Sequence, residues 1–186
     1  MWKLFRLVDV SVGGLCVLAL CVATAAGDEG TARSRVLNLA PSAFTPSNHA
    51  ARYAVEAGGL GALCALTGAG YFLAPLQLID GAVIERISAV VEDKSPDCFG
   101  MMSLVRRTPD KAELLAYTGV SNGAPVVETL STDHVTAPVV DGQTYSYLLQ
   151  VMLSGPGVCL RGAQVTYRLF PCRPFGNGRY DHVKLL

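Results

Sequence analysis

Residues 143–170, "QTYSYLLQVMLSGPGVCLRGAQVTYRLF", change character every second position on both sides of a turn. Tyr145, Tyr147, Leu149, Val151 and Leu153 share one face, with Ser146 and Gln150 on the other. Beyond Ser154-Gly155-Pro156-Gly157 the alternation resumes. Ala163, Val165, Tyr167 and Leu169 then face inward and Gln164, Thr166 and Arg168 outward, with Arg161 the exception. A period of two is that of a strand with one buried face. The Ser-Gly-Pro-Gly step is turn chemistry. Together they predict an antiparallel hairpin.

The same period appears upstream. Val83, Ile87, Ala89 and Val91 occupy odd positions around Glu85, with Arg86, Ser88 and Glu92 on even ones. Further strands are expected at Ala51–Glu56, Leu60–Leu66, Tyr71–Leu76, Phe99–Arg107, Ala112–Thr118 and Val126–Ser131. Turn signals separate them, among them Gly58-Gly59, Asp80-Gly81, Ser95-Pro96-Asp97, Ser121-Asn122-Gly123 and Asp141-Gly142. Short strands at this spacing, with no segment of helical period after the N-terminus, describe an all-β chain. The expected fold is a single antiparallel β-sandwich of jelly-roll type. Nothing repeats at a fixed period, which excludes a propeller or solenoid.

The N-terminus has the layout of an export signal. Lys3 and Arg6 precede an apolar run from Val10 to Val22, and Ala23-Thr24-Ala25 offers a small-x-small cleavage site. The run is shorter than the roughly 20 residues of a spanning helix. We therefore expect residues 1–25 to be a signal peptide, or an N-terminal anchor if uncleaved. Residues 26–50 are expected to be a flexible linker, with a short ordered patch at Val36 to Leu39. The sandwich is expected over 51–170, and 171–186 forms a C-terminal tail. These readings place the body outside the cytoplasm, secreted, periplasmic or at the cell surface. The membrane is met only through the N-terminal segment.

The motifs Pro75 to Leu78, Gly81-Ala82, Glu92-Asp93 with Asp97, Tyr145 and Tyr147, and Gly162 to Tyr167 carry a resemblance. Over roughly residues 70–170 the chain resembles a loosely defined set of uncharacterised bacterial secreted β-sandwich proteins. That resemblance implies a single jelly roll and brings no established activity with it.

Four cysteines lie beyond the N-terminal segment: Cys64, Cys98, Cys159 and Cys172. In an exported chain an even number suggests disulfides. Cys98 and Cys159 each begin a strand next to a turn. We expect a Cys98–Cys159 bond, leaving Cys64–Cys172 as the second pair. No C-x-x-C is present and no histidine lies near a cysteine, so a zinc site is not expected.

The chain carries 15 basic and 15 acidic residues and no basic stripe, which argues against nucleic acid as a partner. The Arg106-Arg107 doublet reads as a solvated strand end. Glu92, Asp93 and Asp97 gather three carboxylates in one loop and are the candidates for calcium, without EF-hand spacing. Ser131-Thr132-Asp133-His134 sets nucleophile and base types side by side, but no G-x-S-x-G elbow accompanies them, and a polar turn is the simpler reading. Tyr117 and Tyr180 are the tyrosines free of the inward pattern, and hence the candidates to stack on a sugar ring. No catalytic set and no cofactor motif emerges. The function expected first is an exported, non-enzymatic structural or protein-interaction module. Its partners would be extracellular or cell-envelope proteins, or further copies of itself. The alternative is an extracellular module that binds glycans or calcium-dependent surfaces. A hydrolase is the least supported reading.

Overall fold

The computed structural model describes residues 32–48, 51–55, 61–122 and 126–170. Within them run eleven strands: β1 (Arg33–Leu39), β2 (Thr45–Pro46), β3 (Arg52–Val55), β4 (Leu63–Thr67), β5 (Gly70–Leu76), β6 (Val83–Asp93), β7 (Gly100–Arg107), β8 (Ala112–Tyr117), β9 (Val126–Thr132), β10 (Ser146–Leu153) and β11 (Val158–Leu169). A single 3-10 turn, Pro41–Ala43, stands between β1 and β2. All strand pairs are antiparallel and form two sheets. One has the order β3-β4-β11-β6-β9, with β1 also on β11. The other has the order β2-β5-β10-β7-β8. The chain is a β-sandwich.

The apolar alternation builds the core between the sheets. Phe72, Ile87 and Val91 are fully buried, as are Leu104, Leu149, Val151, Leu153, Leu160 and Val165. The antiparallel hairpin expected over residues 143–170 is corrected. β10 lies at the centre of the five-stranded sheet and β11 within the six-stranded one, and the two do not pair. The turn at 154–157 carries the chain from one sheet to the other. Alternation alone does not say which strands bond. Each side chain of this kind removed from water contributes about 1.5–3 kcal/mol before entropy is counted.

Four register shifts interrupt the pairing among the described residues. One, between β3 and β4, leaves Leu66 as the extra residue, and the other three alter the alternation read above. In β11 the register against β6 slips between Leu160 and Gly162, leaving Arg161 as the extra residue. The slip resets the phase, so Val158, Leu160, Ala163 and Val165 all face the core. This is why Arg161 broke the expected pattern: it belongs to the bulge, where an unpaired residue leaves the ladder. A second slip, between Thr166 and Tyr167, leaves Glu85 as the extra residue on β6. Ile84, 2 % exposed, therefore takes the inward position expected for Val83, which is only half-buried. The third bulge, in β8, shapes the site described below.

Residues 33–39, inside the stretch 26–50 expected to be a linker, form β1. Every residue of β1 pairs with β11, from Arg33 opposite Leu169 to Leu39 opposite Ala163. Sequence predicts only a short ordered patch there, at Val36 to Leu39, because β1 is an edge strand and largely exposed, so its apolar signal is thin. β1 and β2, which precede residue 51, each pair into one of the two sheets. The signal segment, His49, Cys172, Tyr180 and the tail from 171 lie outside the described residues. Among the described residues no helix is long and apolar enough to cross a membrane.

Candidate functional site

β8 and β9 are the edge strands of different sheets. The segment leaving β9 turns across the open mouth between them and is pinned there: the Thr136 N–H donates to the Leu115 carbonyl at 2.8 Å. Ala137 follows with φ +48°, the left-handed region that L-residues other than Asn and Asp rarely enter. Beyond it the Pro138 carbonyl accepts the Ile84 N–H at 2.9 Å, so the strained turn is held on both sides. Between β8 and this segment lies an open cleft of about 470 Å³.

The β8 wall is shaped by its bulge. The register against β7 runs Ala116 opposite Leu104 and then Leu114 opposite Val105, so Leu115 is the extra residue. Leu115 and Ala116 both turn inward, at 2 % and 4 % exposure. Leu114 and Tyr117 stand out at 54 % and 62 %. Strict alternation would have sent Leu115 out with Tyr117. The opposite wall is polar, with Ser131 and Thr132 at the end of β9 followed by His134 and Thr136. The His134 N–H donates to Thr132 Oγ1 at 3.2 Å, which sets the turn. Gly119 completes the rim.

The loop after Tyr117 is anchored inside the sandwich. Thr118 Oγ1 accepts the Met102 N–H at 3.0 Å and donates to the Gly119 carbonyl at 3.0 Å. Ser121 Oγ accepts the Gly100 N–H at 2.8 Å and donates to the buried carboxylate of Asp93. Tyr117 therefore leaves a fixed backbone with its ring in solvent. Cleft and platform are rigid on one side and hydroxyl-rich on the other. Among the described residues no Arg, Lys, Asp or Glu lines the cleft, and His134 is their one titratable side chain there apart from Tyr117. This chemistry suits an uncharged ligand with an apolar face and a polar edge.

Two features singled out separately in the sequence, Tyr117 and the Ser131–His134 turn, thus share one site, while Asp133 does not line it. Nothing in the sequence signals their proximity, because it arises from the meeting of two sheet edges.

The acidic candidates do not converge. Glu92 is ion-paired with Lys94 and with Arg161, whose Nε lies 2.6 Å from Oε2. The hydrogen bond from Lys94, with that from Arg161, holds the Glu92 carboxyl below the usual carboxylate range, against the opposing effect of its burial. Asp93 is fully buried. Its Oδ1 accepts the Ser95 N–H at 3.1 Å and its Oδ2 the Ser121 hydroxyl. Asp97 is exposed, and its N–H donates to Ser95 Oγ. The calcium reading of Glu92, Asp93 and Asp97 is corrected accordingly: the first two are occupied in structural contacts, and no metal-binding cluster occurs among the described residues. Arg106 is not a solvated strand end either. Its Nε and Nη2 donate to Glu113 Oε2 at 3.0 and 2.9 Å, and its guanidinium lies 4.4 Å from the Tyr145 ring centroid.

The cysteine pairing differs from expectation. Cys64 bonds Cys159, with their Cα atoms 4.1 Å apart, and Cys98 is a free thiol. The two bonded residues stand directly opposite each other on β4 and β11. Cys98 instead packs at the β10–β11 turn, where its Sγ lies 2.6 Å from where a side chain on Gly155 would begin. Reading Cys98 and Cys159 as neighbours at one end of the fold missed β4 as the cross-strand partner of β11.

No protein-family model and no curated protein matches the sequence. Comparison with solved structures finds similar sandwiches. One is the C-terminal family 6 carbohydrate-binding module of LamC, a marine laminarinase from Zobellia galactanivorans. It is 16 % identical at TM-score 0.49, over 71 % of this chain and 99 % of that one. Another is the CBM36-1 domain of a multidomain xylanase from the hindgut metagenome of Trinervitermes trinervoides, 7 % identical at TM-score 0.49 over 70 % and 96 %. A third is the xylan-binding module CBM15, 9 % identical at TM-score 0.46 over 72 % and 97 %. At these values the sandwich assignment rests on the chain's own strand pairing.

Proposed function

We propose that this chain is an extracellular ligand-binding module that takes a neutral oligosaccharide in the cleft between β8 and β9. The observation that carries this reading is Tyr117, a residue 62 % exposed on a fixed backbone, in a cleft that Ser131, Thr132, His134 and Thr136 also line. An aromatic face packs on the C–H face of a sugar ring, and Ser131, Thr132, Thr136 and His134 supply donors and acceptors for its hydroxyls. The lack of charged residues in the lining favours a neutral glycan over a uronic acid or a sulfated chain. The Cys64–Cys159 bond supports an oxidising compartment.

A glycan array probed with the chain and with Tyr117→Ala tests this. The expected result is a set of neutral oligosaccharide signals, carried over to titration calorimetry, with affinity reduced at least tenfold by the substitution. An array blank at high protein concentration, or equal binding by the variant, sinks the reading.

A further inference from the structure

Gly119 lines the cleft two residues after Tyr117. Tyr117 is exposed, Thr118 is fully buried and Gly119 is exposed again, so the alternation of β8 runs on past its last residue. The bare position at Gly119 therefore lies on the same side of the chain as the Tyr117 ring.

Glycine has three ordinary uses inside a fold, and Gly119 serves none of them. It does not supply a left-handed turn, because the positive-φ glycines among the described residues are Gly61, Gly68, Gly81 and Gly157. It does not make room for a packed neighbour. A Cβ there would meet nothing within 4 Å, whereas one at Gly100 would sit 2.9 Å from Val91 Cγ1. Nor is it a hinge. The Thr118 N–H donates to the Met102 carbonyl at 2.8 Å, and the Met102 N–H returns a bond to Thr118 Oγ1 at 3.0 Å. Ser121 and Gly100 exchange the same two bonds, at 2.9 and 2.8 Å. The backbone is thus pinned on both sides of Gly119. Its carbonyl accepts the Thr118 hydroxyl, which fixes the peptide and leaves a second lone pair. An alanine at such a position would stabilise the fold by restricting the unfolded chain, and glycine forgoes that gain.

The use that remains is close approach of another molecule to bare backbone. Two residues of extended chain span about 6.6 Å, comparable to one pyranose ring with its linkage. We propose that the cleft takes a chain of at least two neutral sugar rings, one stacked on Tyr117 and the next lying against the backbone of Gly119. This rests on the glycan reading above and adds to it a minimum ligand length, a direction along β8 and the residue that sets both. A side chain at Gly119 would fill the place of the second ring and leave the first untouched.

Titration calorimetry with neutral oligosaccharides of graded length tests this, using the unaltered chain, Gly119→Ala, Gly119→Val and Tyr117→Ala. The unaltered chain is expected to bind two rings at least about tenfold more tightly than one. Gly119→Val is expected to remove most of that gain and Gly119→Ala part of it, with neither lowering the thermal midpoint. Tyr117→Ala is expected to weaken binding at every length. Should Gly119→Val fail to fold, Gly119→Ala carries the same test. A midpoint lowered by alanine as well would assign the glycine to the fold and overturn the proposal, as would equal affinity for one ring and two. Undiminished binding by the Gly119 variants, with Tyr117→Ala impaired, overturns the proposal and leaves the cleft reading standing. Absence of binding at every length by the unaltered chain ends both.

Discussion

Leu114 and Leu115 are adjacent and chemically identical, yet one is 54 % exposed and the other 2 %. The bulge decides which of them belongs to the core. Leu115→Ala is expected to cost about 2–5 kcal/mol by denaturant unfolding, and Leu114→Ala less than about 0.5 kcal/mol. Equal losses would mean that β8 is regularly alternating. Gly100 makes a comparable case without a side chain. A Cβ there would sit 2.9 Å from Val91 Cγ1 and 3.2 Å from Val158 Cγ1, both in the packed core. Gly100→Ala is therefore expected to lower stability by about 1–3 kcal/mol, measured the same way. Tyr117 was legible as outward-facing in the sequence. The burial of Tyr147 was legible too, from its place in the strongest alternation.

At the scale of the element, strand existence was readable nearly everywhere and strand phase was not. Expected and observed limits agree closely for β5, β7, β8 and β9, because buried apolar positions recur between strong turn residues. β1 escaped because it lies on an edge, where few of its side chains are buried. Bulges escaped because the local sequence of an extra residue looks like that of any other. The bulge at Arg161 shows what such an irregularity does. It delivers a guanidinium to Glu92 on the neighbouring strand, where the carboxylate is 9 % exposed. The Glu92 pKa is lowered in the folded state. Its contribution is thus fully present above the unfolded glutamate value, near 4.5, and is lost as pH falls below it. Arg161→Gln is expected to cost about 1–3 kcal/mol at neutral pH. The difference from the unaltered chain should shrink in melts taken progressively below pH 4.5. A gap that does not change with pH would remove the ion pair from the account.

For the whole molecule, the fold class followed from periodicity, while the long-range pairings did not. Cys64 and Cys159 are 95 residues apart in the chain and directly opposed in space. Such a pairing depends on strand order, which alternation alone does not encode. The same holds for the cleft: Tyr117 and His134 meet only because β8 and β9 end up as facing edges of separate sheets. Closing so long a loop stabilises the fold by roughly 2–5 kcal/mol. Cys64→Ser is therefore expected to lower the midpoint in denaturant by a corresponding amount, whereas Cys98→Ser should leave the disulfide intact. Mass spectrometry after alkylation checks the pairing: Cys98 should be labelled in the native protein, and Cys64 and Cys159 only after reduction.

The binding cleft is the central claim, and amide and aromatic NMR of the labelled chain titrated with neutral oligosaccharides tests it most directly. The account predicts saturable shifts of the Tyr117 ring signals and of amides within 114–119 and 131–136, with the rest of the sandwich unmoved. Saturable shifts centred elsewhere on the sandwich, or none at millimolar sugar, would contradict it.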